Sequence, residues 1–433
     1  MRFIADFHLH SKYSRATSPQ MDLENLDKWA KVKGIKVLGT GDFTHPEWFK
    51  NLKEKLEPAE SGLFKLAPYR TGSGVGLKNT DTETRFILTT EISCIYSKKG
   101  KVRKIHNVIF APSLGIAEKI NTRLNLIGNL KADGRPILGL DAKELAKIVL
   151  NASQDCLIVP AHAMTPWFGI FGSKSGFDSV EECFEDYSKY IYALETGLSA
   201  SPSMIWRIPD GREWTLISNS DAHSLANIGR EANIFEGEEL NYKNIIEAIK
   251  KGSKTIKKEP LKLISTIEFY PEEGKYHYDG HRECGVSLSP QESKKYNNLC
   301  PVCGRPLIIG VLNRIEQLAD RPEGFKPENV ISFKSLVPLQ EIITESLGVK
   351  SVTKQVDNEY KSLIEKFGSE FKVLLDVPCQ DLQTAALEEV AEGIIRVREG
   401  RVQIEPGYDG VYGKVRIFSE KEKKKAFGQK TLF

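Results

Sequence analysis

The 433-residue sequence has no apolar run long enough to cross a bilayer and no signal peptide, which predicts a soluble, intracellular protein. It also lacks a strong excess of either charge. The net charge is +3 at pH 7, so the overall balance does not by itself indicate a nucleic-acid partner. Apolar residues make up 40% of the chain, which is enough for two or three domains with ample cores.

Cysteine is sparse, and the seven cysteines fall into two groups. Four lie scattered in apolar sequence, and we expect reduced core residues rather than disulfides in an intracellular chain. These four are Cys94, Cys156, Cys183 and Cys379.

The other three cysteines join a histidine in two short turns, His281-x2-Cys284 and Cys300-x2-Cys303, separated by fifteen residues. Each turn places two ligands on one face of a tetrahedral site, so the pattern predicts a structural zinc in a zinc-ribbon module. His277 stays an alternative fourth ligand, although the x2 spacing favours His281.

Histidine is scarce too, yet six of the eight histidines lie before residue 224, and most follow short runs typical of strands. Imidazoles and carboxylates gathered at strand ends suit a multinuclear hydrolytic metal site, because they bind borderline-hard cations and leave positions open for water. The candidate ligands are His8, His10, Asp42, His45, Glu91, His106, His162, Asp221 and His223. Side chains at positions i and i+2 of a strand share a face. His8 and His10 can therefore bind one cation together, and so can Asp221 and His223.

Strand and helix patterns alternate along the first part of the chain. The predicted strands are 2–7, 35–40, 85–90, 104–110, 156–161, 190–194 and 215–219. The predicted helices are 22–34, 141–153 and 241–252, followed after residue 320 by a small helical bundle at 336–348, 357–368 and 382–400. The alternation predicts a parallel α/β sheet closed as a barrel, with the ligand-bearing strand ends at one mouth.

The HxH, TGD and SDAH motifs, with the isolated Glu91, resemble the PHP (polymerase and histidinol phosphatase) superfamily over about residues 1–235. The resemblance implies a distorted (β/α)7 barrel and a trinuclear centre. It implies as ligands His8, His10, Glu91, His106, His162, Asp221 and His223. Arg15 and Phe43 depart from the common pattern, and we expect Asp42 and His45 to replace the missing ligands. The site would hold two or three divalent cations, zinc being favoured over manganese or magnesium.

Longer strings at 161–179, 218–235 and 406–415, together with the cysteine module, resemble the endonuclease Q family over essentially the whole chain. This resemblance implies a DNA repair endonuclease that cuts 5′ to deaminated bases (uracil, hypoxanthine, xanthine) and abasic sites, leaving 3′-hydroxyl and 5′-phosphate ends. The cations would lower the pKa of a bridging water, and His45 or Asp221 would orient this nucleophile. A DNA repair role predicts a cytoplasmic, nucleoid-associated protein.

Two glycine-rich segments are candidates for DNA contact. One carries Ser173 and Lys174 and would wall a pocket for an extruded base, with an ordinary mobile loop as the alternative. The other carries Tyr408 and Tyr412, which could stack on bases or serve only as packing residues. A basic stretch could contact phosphates or form a solvated helix face. It comprises Lys250, Lys251, Lys254, Lys257, Lys258 and Lys262.

The last charged segment contains Gln429-x2-Leu432-Phe433, which resembles a short sliding-clamp-binding motif. The predicted organisation is a nuclease barrel (1–262), a zinc-ribbon module (263–318), a helical DNA-clamping region (319–418) and a flexible tail (419–433).

Two other functions stay open. A small-molecule phosphatase would need neither ribbon, helical region nor tail, and a non-catalytic DNA or clamp adaptor would carry a degenerate metal site.

Overall fold

A computed structural model of the chain describes residues 1–68, 84–209, 214–252, 259–419 and 422. The strands in this part are β1 (Arg2–Asp6), β2 (Val37–Gly39), β3 (Leu56–Pro58), β4 (Phe64–Leu66), β5 (Arg85–Lys98), β6 (Lys101–Ala111), β7 (Ile137–Leu138), β8 (Leu157–Pro160), β9 (Ala193–Glu195), β10 (Thr215–Ile217), β11 (Ala232–Gly237), β12 (Leu261–Glu268), β13 (Asp279–His281), β14 (Val286–Leu288), β15 (Ser332–Ser335), β16 (Gln403–Glu405) and β17 (Lys414–Arg416).

The α-helices in the same ranges are α1 (Leu23–Lys33), α2 (Pro46–Lys55), α3 (Leu114–Leu124), α4 (Ala142–Ala152), α5 (Val180–Phe184), α6 (Pro202–Ile205), α7 (Tyr242–Lys251), α8 (Pro290–Lys295), α9 (Val311–Leu318), α10 (Leu339–Ser346), α11 (Lys354–Phe367), α12 (Glu370–Leu375), α13 (Cys379–Ala385) and α14 (Glu388–Arg398). None of these helices is long and apolar enough to span a membrane.

The chain divides into two compact units. The first comprises Met1–Lys31, Ile35–Glu268 and Ile309–Lys334, and the second Val32–Gly34, Phe269–Ile308 and Ser335–Phe433. The boundaries of the functional modules predicted from the sequence stay predictions.

An eleven-stranded mixed sheet organises the first unit. β1, β2 and β5 pair in parallel, whereas β6 is antiparallel to both β5 and β8. The prediction of a parallel sheet is therefore wrong for β6. Parallel neighbours need a crossover of about a dozen residues or more, but only Lys99 and Gly100 separate β5 from β6. Both have positive φ (51° and 74°), which suits a tight hairpin turn.

The predicted barrel is formed with a distorted closure. β9 and β10 make a separate parallel pair that is linked to its neighbours by hydrogen bonds beyond the strand ends. The Ala163 N–H beyond β8 donates to the Glu195 carbonyl of β9 (2.9 Å), and Leu9 beyond β1 bridges Ala222 beyond β10. These links complete the ring β1, β2, β5, β6, β8, β9 and β10. The interior is apolar, with Phe7 edge-on to Phe110 at 5.4 Å between ring centroids.

The three helices predicted in the barrel region are confirmed to within one residue at each end, as α1, α4 and α7. α4 begins after Asp141, whose side chain accepts the Lys143 N–H, and α7 begins after Asn241, which accepts the Asn244 N–H. Residues 382–400, predicted as one helix, form α13 and α14 instead. The break lies at Leu387, whose backbone is not helical (φ −58°, ψ 143°) and whose N–H donates to Glu359 Oε1 at 2.9 Å.

The cysteines outside the zinc-ribbon motif are free thiols, as predicted, and three of them are buried: Cys94, Cys156 and Cys183. Cys379 is exposed, so its prediction as a core residue is wrong. It begins α13, a short helix that buries only Leu382.

Candidate metal centre

Glu91, on β5, lies at the centre of the predicted site and is almost fully buried. Its Oε1 is 2.8 Å from His106 Nδ1 and 3.1 Å from His162 Nε2. Its Oε2 is 3.4 Å from His10 Nε2 and 3.6 Å from His8 Nε2. One carboxylate thus faces two groups of histidines, an arrangement that suits a ligand shared by two cations.

The first group consists of His8, His10, Glu91 and Asp221, each with a ligand atom within 4.8 Å of the others. Asp221 Oδ1 is 3.0 Å from His10 Nε2 and 3.6 Å from His8 Nε2. The Nε2 of His8 is buried and has no hydrogen-bond partner within the described residues. An unpartnered buried nitrogen aimed at two carboxylates is the donor that a divalent cation would use, so these residues fit a metal.

The second group consists of Glu91, His106 and His162. The two ring nitrogens, His106 Nδ1 and His162 Nε2, are 3.2 Å apart. Ligand atoms about 2.0–2.2 Å from a tetrahedral cation lie roughly 3.3 Å from one another, so the spacing fits one cation. Gly197, at φ 64°, makes room for this arrangement, since a Cβ there would come within 2.4 Å of the His162 Cβ.

Glu195, at the end of β9, positions both groups and was missed by sequence analysis. Its carboxylate is 3.0 Å from His8 Nδ1 and accepts the His162 N–H (2.8 Å) and the Asn219 side-chain N–H (2.8 Å). Holding Nδ1 leaves Nε2 of His8 to face the site, the usual arrangement behind a metal-binding histidine. A charged residue directly after the predicted strand 190–194 was the signal that could have identified it.

We expect Glu195→Gln to weaken divalent-metal affinity by roughly 10–100-fold, because the charge that orients His8 is lost. Equilibrium dialysis against Mn²⁺ or Zn²⁺ measures this directly, and saturating metal should restore most of the activity. The exposed Glu118→Gln serves as the matched control. Unchanged metal affinity in the Glu195 variant would show that the hydrogen bonds have no role in metal binding.

The structure brings Asp42 and His45 into neither ligand group. Asp42 Oδ1 is 3.0 Å from His10 Nδ1, and Oδ2 accepts hydrogen bonds from Ser11 and Ser14. Oδ1 therefore orients His10, and the serines hold Oδ2. His45 precedes α2 and stacks on Tyr13 with ring centroids 4.5 Å apart. Within the described residues these two do not join a third group of three ligands.

His223 borders the first group without joining it. Its Nδ1 lies 2.8 Å from the Asp221 carbonyl, and its ring centroid is 4.5 Å from that of His10. Burial lowers the pKa of His223 and so favours the neutral imidazole, the form that binds metals. Its assignment as a ligand stays a prediction.

The electrostatics of the site also favour cations. Burial opposes charge on His8, but the carboxylates of Glu195, Glu91 and Asp221 outweigh burial and raise its pKa well above the ordinary value. Burial likewise opposes charge on Glu91, but His106, His8 and Arg135 hold its pKa well below the ordinary range. Burial dominates at His106 and lowers its pKa to about 4. In such a site a divalent cation can take the place of the protons on the imidazoles, because the buried carboxylates attract either positive charge.

A cavity of about 370 Å³ opens onto the candidate ligands His106, His162 and Asp221. This volume is within the range of small-ligand pockets, roughly 300–1,000 Å³. Arg135 and Trp167 also line it, and neither was a sequence candidate. The adjacent aromatic residues Trp167 and Phe168, in the loop after β8, were the sequence signal that could have indicated a binding cavity there.

Ser173 and Lys174 belong to the same loop but do not line this cavity. The loop is tightly turned: the Gly172 N–H donates to the Gly169 carbonyl (3.0 Å) and the Gly176 N–H to the Gly172 carbonyl (2.9 Å). Ser173 is half-buried and Lys174 is exposed. A role for either in DNA binding stays a prediction.

The predicted zinc ligands His281, Cys284, Cys300 and Cys303 come together in the second unit, with ligand atoms within 4.8 Å of one another. The residue after each short turn, Gly285 or Gly304, has positive φ (65° and 72°), which lets the chain reverse immediately after the second ligand.

The alternative ligand His277 lies outside this group. It is buried, and burial lowers its pKa to about 4. The geometry therefore agrees with the spacing argument for His281.

The two tyrosines of the PGYDGVYG loop differ in their surroundings. Tyr408 packs against β13, where its ring would be 2.4 Å from a Cβ on Gly280, and its backbone bridges Tyr278. Tyr412 is 67% exposed, with Lys275 Nζ 4.5 Å from its ring centroid. The surroundings of Tyr408 fit a packing role, whereas stacking on DNA bases stays a prediction for Tyr412.

Some predicted partner-binding residues lie outside the described residues. These are Lys254, Lys257, Lys258, Gln429, Leu432 and Phe433. Of the remaining basic stretch, Lys251 pairs with Glu259 at 2.8 Å.

Known proteins resemble this chain over nearly its whole length. The lesion-specific endonuclease PfuEndoQ from Pyrococcus furiosus is 32% identical, with a TM-score of 0.83 over 98% of this chain and 97% of that chain. An endonuclease Q solved with a 27-mer duplex substrate, with an abasic lesion at its active site, is 31% identical, with a TM-score of 0.81 over 97% of this chain and 98% of that chain.

Protein YqxK of Bacillus subtilis is 26% identical over 430 residues, or 96% of this chain and 99% of that protein. Protein MJ0043 of Methanocaldococcus jannaschii is 35% identical over 271 residues, 60% of this chain, and the match spans about a third (32%) of that relative. Family models described as PHP-associated and as MJ0043 C-terminal domain match residues 210–253 and 338–401. The resemblance found in the sequence is confirmed, and the chain belongs to the endonuclease Q family.

Proposed function

We propose that this chain is a DNA repair endonuclease that hydrolyses the phosphodiester bond 5′ to deaminated bases and abasic sites, leaving 3′-hydroxyl and 5′-phosphate ends. The observation that carries the proposal is the pair of buried histidine–carboxylate groups joined by Glu91, which open into the 370 Å³ cavity of an endonuclease Q fold. One relative is described as lesion-specific, and another holds an abasic lesion at its active site.

His8, His10, Glu91 and Asp221 would hold one divalent cation, and Glu91, His106 and His162 another. The imidazole-rich donor set favours zinc, and carboxylate oxygens also accept manganese or magnesium. Bound cations would supply Lewis-acid stabilisation of the phosphate and a nucleophile at neutral pH.

Asp221 is the residue best placed to orient the nucleophile. Its side chain is 27% exposed and lines the cavity. Burial opposes its ionisation, but His8 and His10 hold the pKa of Asp221 far below its ordinary value, so it remains a hydrogen-bond acceptor at neutral pH. His45, the other candidate, does not line the cavity, and its buried Nδ1 has no hydrogen-bond partner within the described part of the chain.

Lesion choice requires that the nucleotide leave the stack and enter a pocket. Trp167 lines the cavity and is 37% exposed, so it offers a surface on which a base can stack, whereas the Phe168 ring lies against that of His106. Uracil and hypoxanthine both carry a carbonyl where the parent base carries an amine, so a single N–H donor in the pocket would accept both lesions and reject cytosine and adenine.

Three substrates separate the candidate functions: a duplex with one uracil, the same duplex without it, and p-nitrophenyl phosphate, each with Mn²⁺, Mg²⁺ or Zn²⁺. The proposal predicts cleavage of the uracil duplex alone. Hydrolysis of p-nitrophenyl phosphate without strand cleavage would instead identify a small-molecule phosphatase, and binding without hydrolysis an adaptor.

We also propose the sliding clamp as a partner, bound through Gln429, Leu432 and Phe433. Deleting residues 429–433 should abolish stimulation by the clamp and leave cleavage of a short free duplex unchanged, because a short motif concentrates its binding energy in a few apolar side chains. Co-elution with the clamp and steady-state cleavage measure the two effects. Persisting co-elution, or a loss of basal cleavage, would refute this role of the motif.

A further inference from the structure

Arg135 lies at the metal centre although it is not a metal ligand. Its guanidinium Nη1 is 3.2 Å from Oε2 of Glu91, and its side chain is 26% exposed. It lines the same cavity as His106, His162 and Asp221.

The backbone around Arg135 is anchored on both sides. The Arg135 N–H donates to Asp133 Oδ1 (3.1 Å), and the next carbonyl, of Pro136, accepts the Ser93 N–H of β5 (3.1 Å). On the other side the Gly134 N–H donates to the Tyr13 carbonyl (3.0 Å). The fold therefore fixes the backbone of Arg135, and the contact with Glu91 directs its guanidinium to the cavity.

A fixed positive charge beside a metal ligand weakens cation binding, both by repulsion and by sharing the Glu91 carboxylate. Such a charge is useful when an anion enters the same space. Guanidinium carries five N–H donors in a planar fork that matches phosphate oxygens, and the Glu91 contact engages one of its nitrogens. The placement thus fits an anionic, phosphate-bearing ligand.

We propose that Arg135 is a catalytic residue that binds a non-bridging oxygen of the phosphate being cleaved. The inference rests on the proposed nuclease function. In the reaction a water oxygen bonds to phosphorus, the P–O3′ bond breaks, and the leaving oxygen takes up a proton that the water releases. Arg135 donates hydrogen bonds to the phosphate throughout and is unchanged at the end. Its contribution is greatest where negative charge develops on the phosphoryl oxygens.

The test compares Arg135→Ala and Arg135→Lys with wild-type protein loaded with Mn²⁺. Loss of a preorganised donor to a developing oxyanion typically costs about 100–1,000-fold in kcat. We expect a loss of this size for Arg135→Ala on the uracil duplex, a smaller loss for Arg135→Lys, and partial rescue of Arg135→Ala by free guanidinium ion. Arg123→Gln, an exposed arginine at the end of α3, is the matched control and should behave as wild type.

Two further measurements separate phosphate binding from support of Glu91. Isothermal titration of the loaded protein with inorganic phosphate should show affinity reduced by about tenfold or more in Arg135→Ala. Dialysis should show Mn²⁺ affinity unchanged or increased, since a repelling charge has been removed. Loss of metal in Arg135→Ala, or phosphate affinity and cleavage equal to wild type, would overturn the proposal. If wild-type protein fails to cleave the duplex, the proposed function fails, and the phosphate titration still decides the role of Arg135.

Discussion

Asp221→Asn is expected to abolish strand cleavage, with a loss of at least about 1,000-fold in single-turnover rate, while DNA affinity stays within severalfold. The substitution keeps the shape of the side chain and removes the charge that lies 3.0 Å from His10 Nε2 and 3.6 Å from His8 Nε2. Asp221 belongs to the first candidate metal-binding group, whereas an extended duplex would bind over a much larger surface, so the two effects should separate.

Cleavage of a labelled uracil duplex and a gel-shift titration measure the two quantities. The exposed Asp155→Asn provides a control with the same chemical change. Wild-type cleavage by the Asp221 variant would remove the barrel mouth as the active site.

Cys300→Ser is expected to release one tightly bound zinc per chain and to lower the unfolding midpoint by roughly 10 °C or more. A closed structural site converts metal-binding free energy into folding free energy, so loss of one ligand affects both. Cys300 is also buried against Val286 and Leu307 in a small apolar cluster, so the substitution also places a hydroxyl group in an apolar environment.

Metal analysis of the purified variant measures its zinc content, and thermal unfolding measures its midpoint. Cys379→Ser is the control, since that thiol is free and exposed, and it should keep both zinc content and midpoint. Unchanged zinc in the Cys300 variant would refute the ribbon assignment.

The sequence predicted the helices α1, α4 and α7 closely because helical periodicity and capping residues are local signals. Each of the seven predicted strands overlaps a strand of the structure, but β11 and β12 of the main sheet were not predicted, and neither was the antiparallel pairing of β6. Apolar runs at 85–90 and 104–110 do not reveal that one tight turn makes them a single hairpin, because partner and direction depend on the Lys99–Gly100 turn and on the neighbouring strands.

At the candidate metal centre, too, local motifs were visible in the sequence, whereas contacts that depend on the fold were not. Histidines and carboxylates at strand ends were visible as motifs, and the structure brings six of the predicted ligands into two groups: His8, His10, Glu91, His106, His162 and Asp221. Glu195 and Arg135 were missed, because a single charge outside a motif becomes meaningful only when the fold places it beside its partner. Asp42 shows the reverse case. Its motif indicated a ligand, and only the fold shows that Oδ1 faces His10 Nδ1 and that Oδ2 accepts hydrogen bonds from Ser11 and Ser14.

Mapping the ends that the metal-loaded protein produces from a duplex with one uracil tests the proposed nuclease function most directly. We expect a single break at the phosphodiester immediately 5′ to the uracil, with a 3′-hydroxyl that a polymerase extends and a 5′-phosphate that a ligase accepts. We expect no break in the matched undamaged duplex and none with Asp221→Asn. Equal cutting of both duplexes, a break 3′ to the lesion, or ends with a 3′-phosphate would contradict the proposed function.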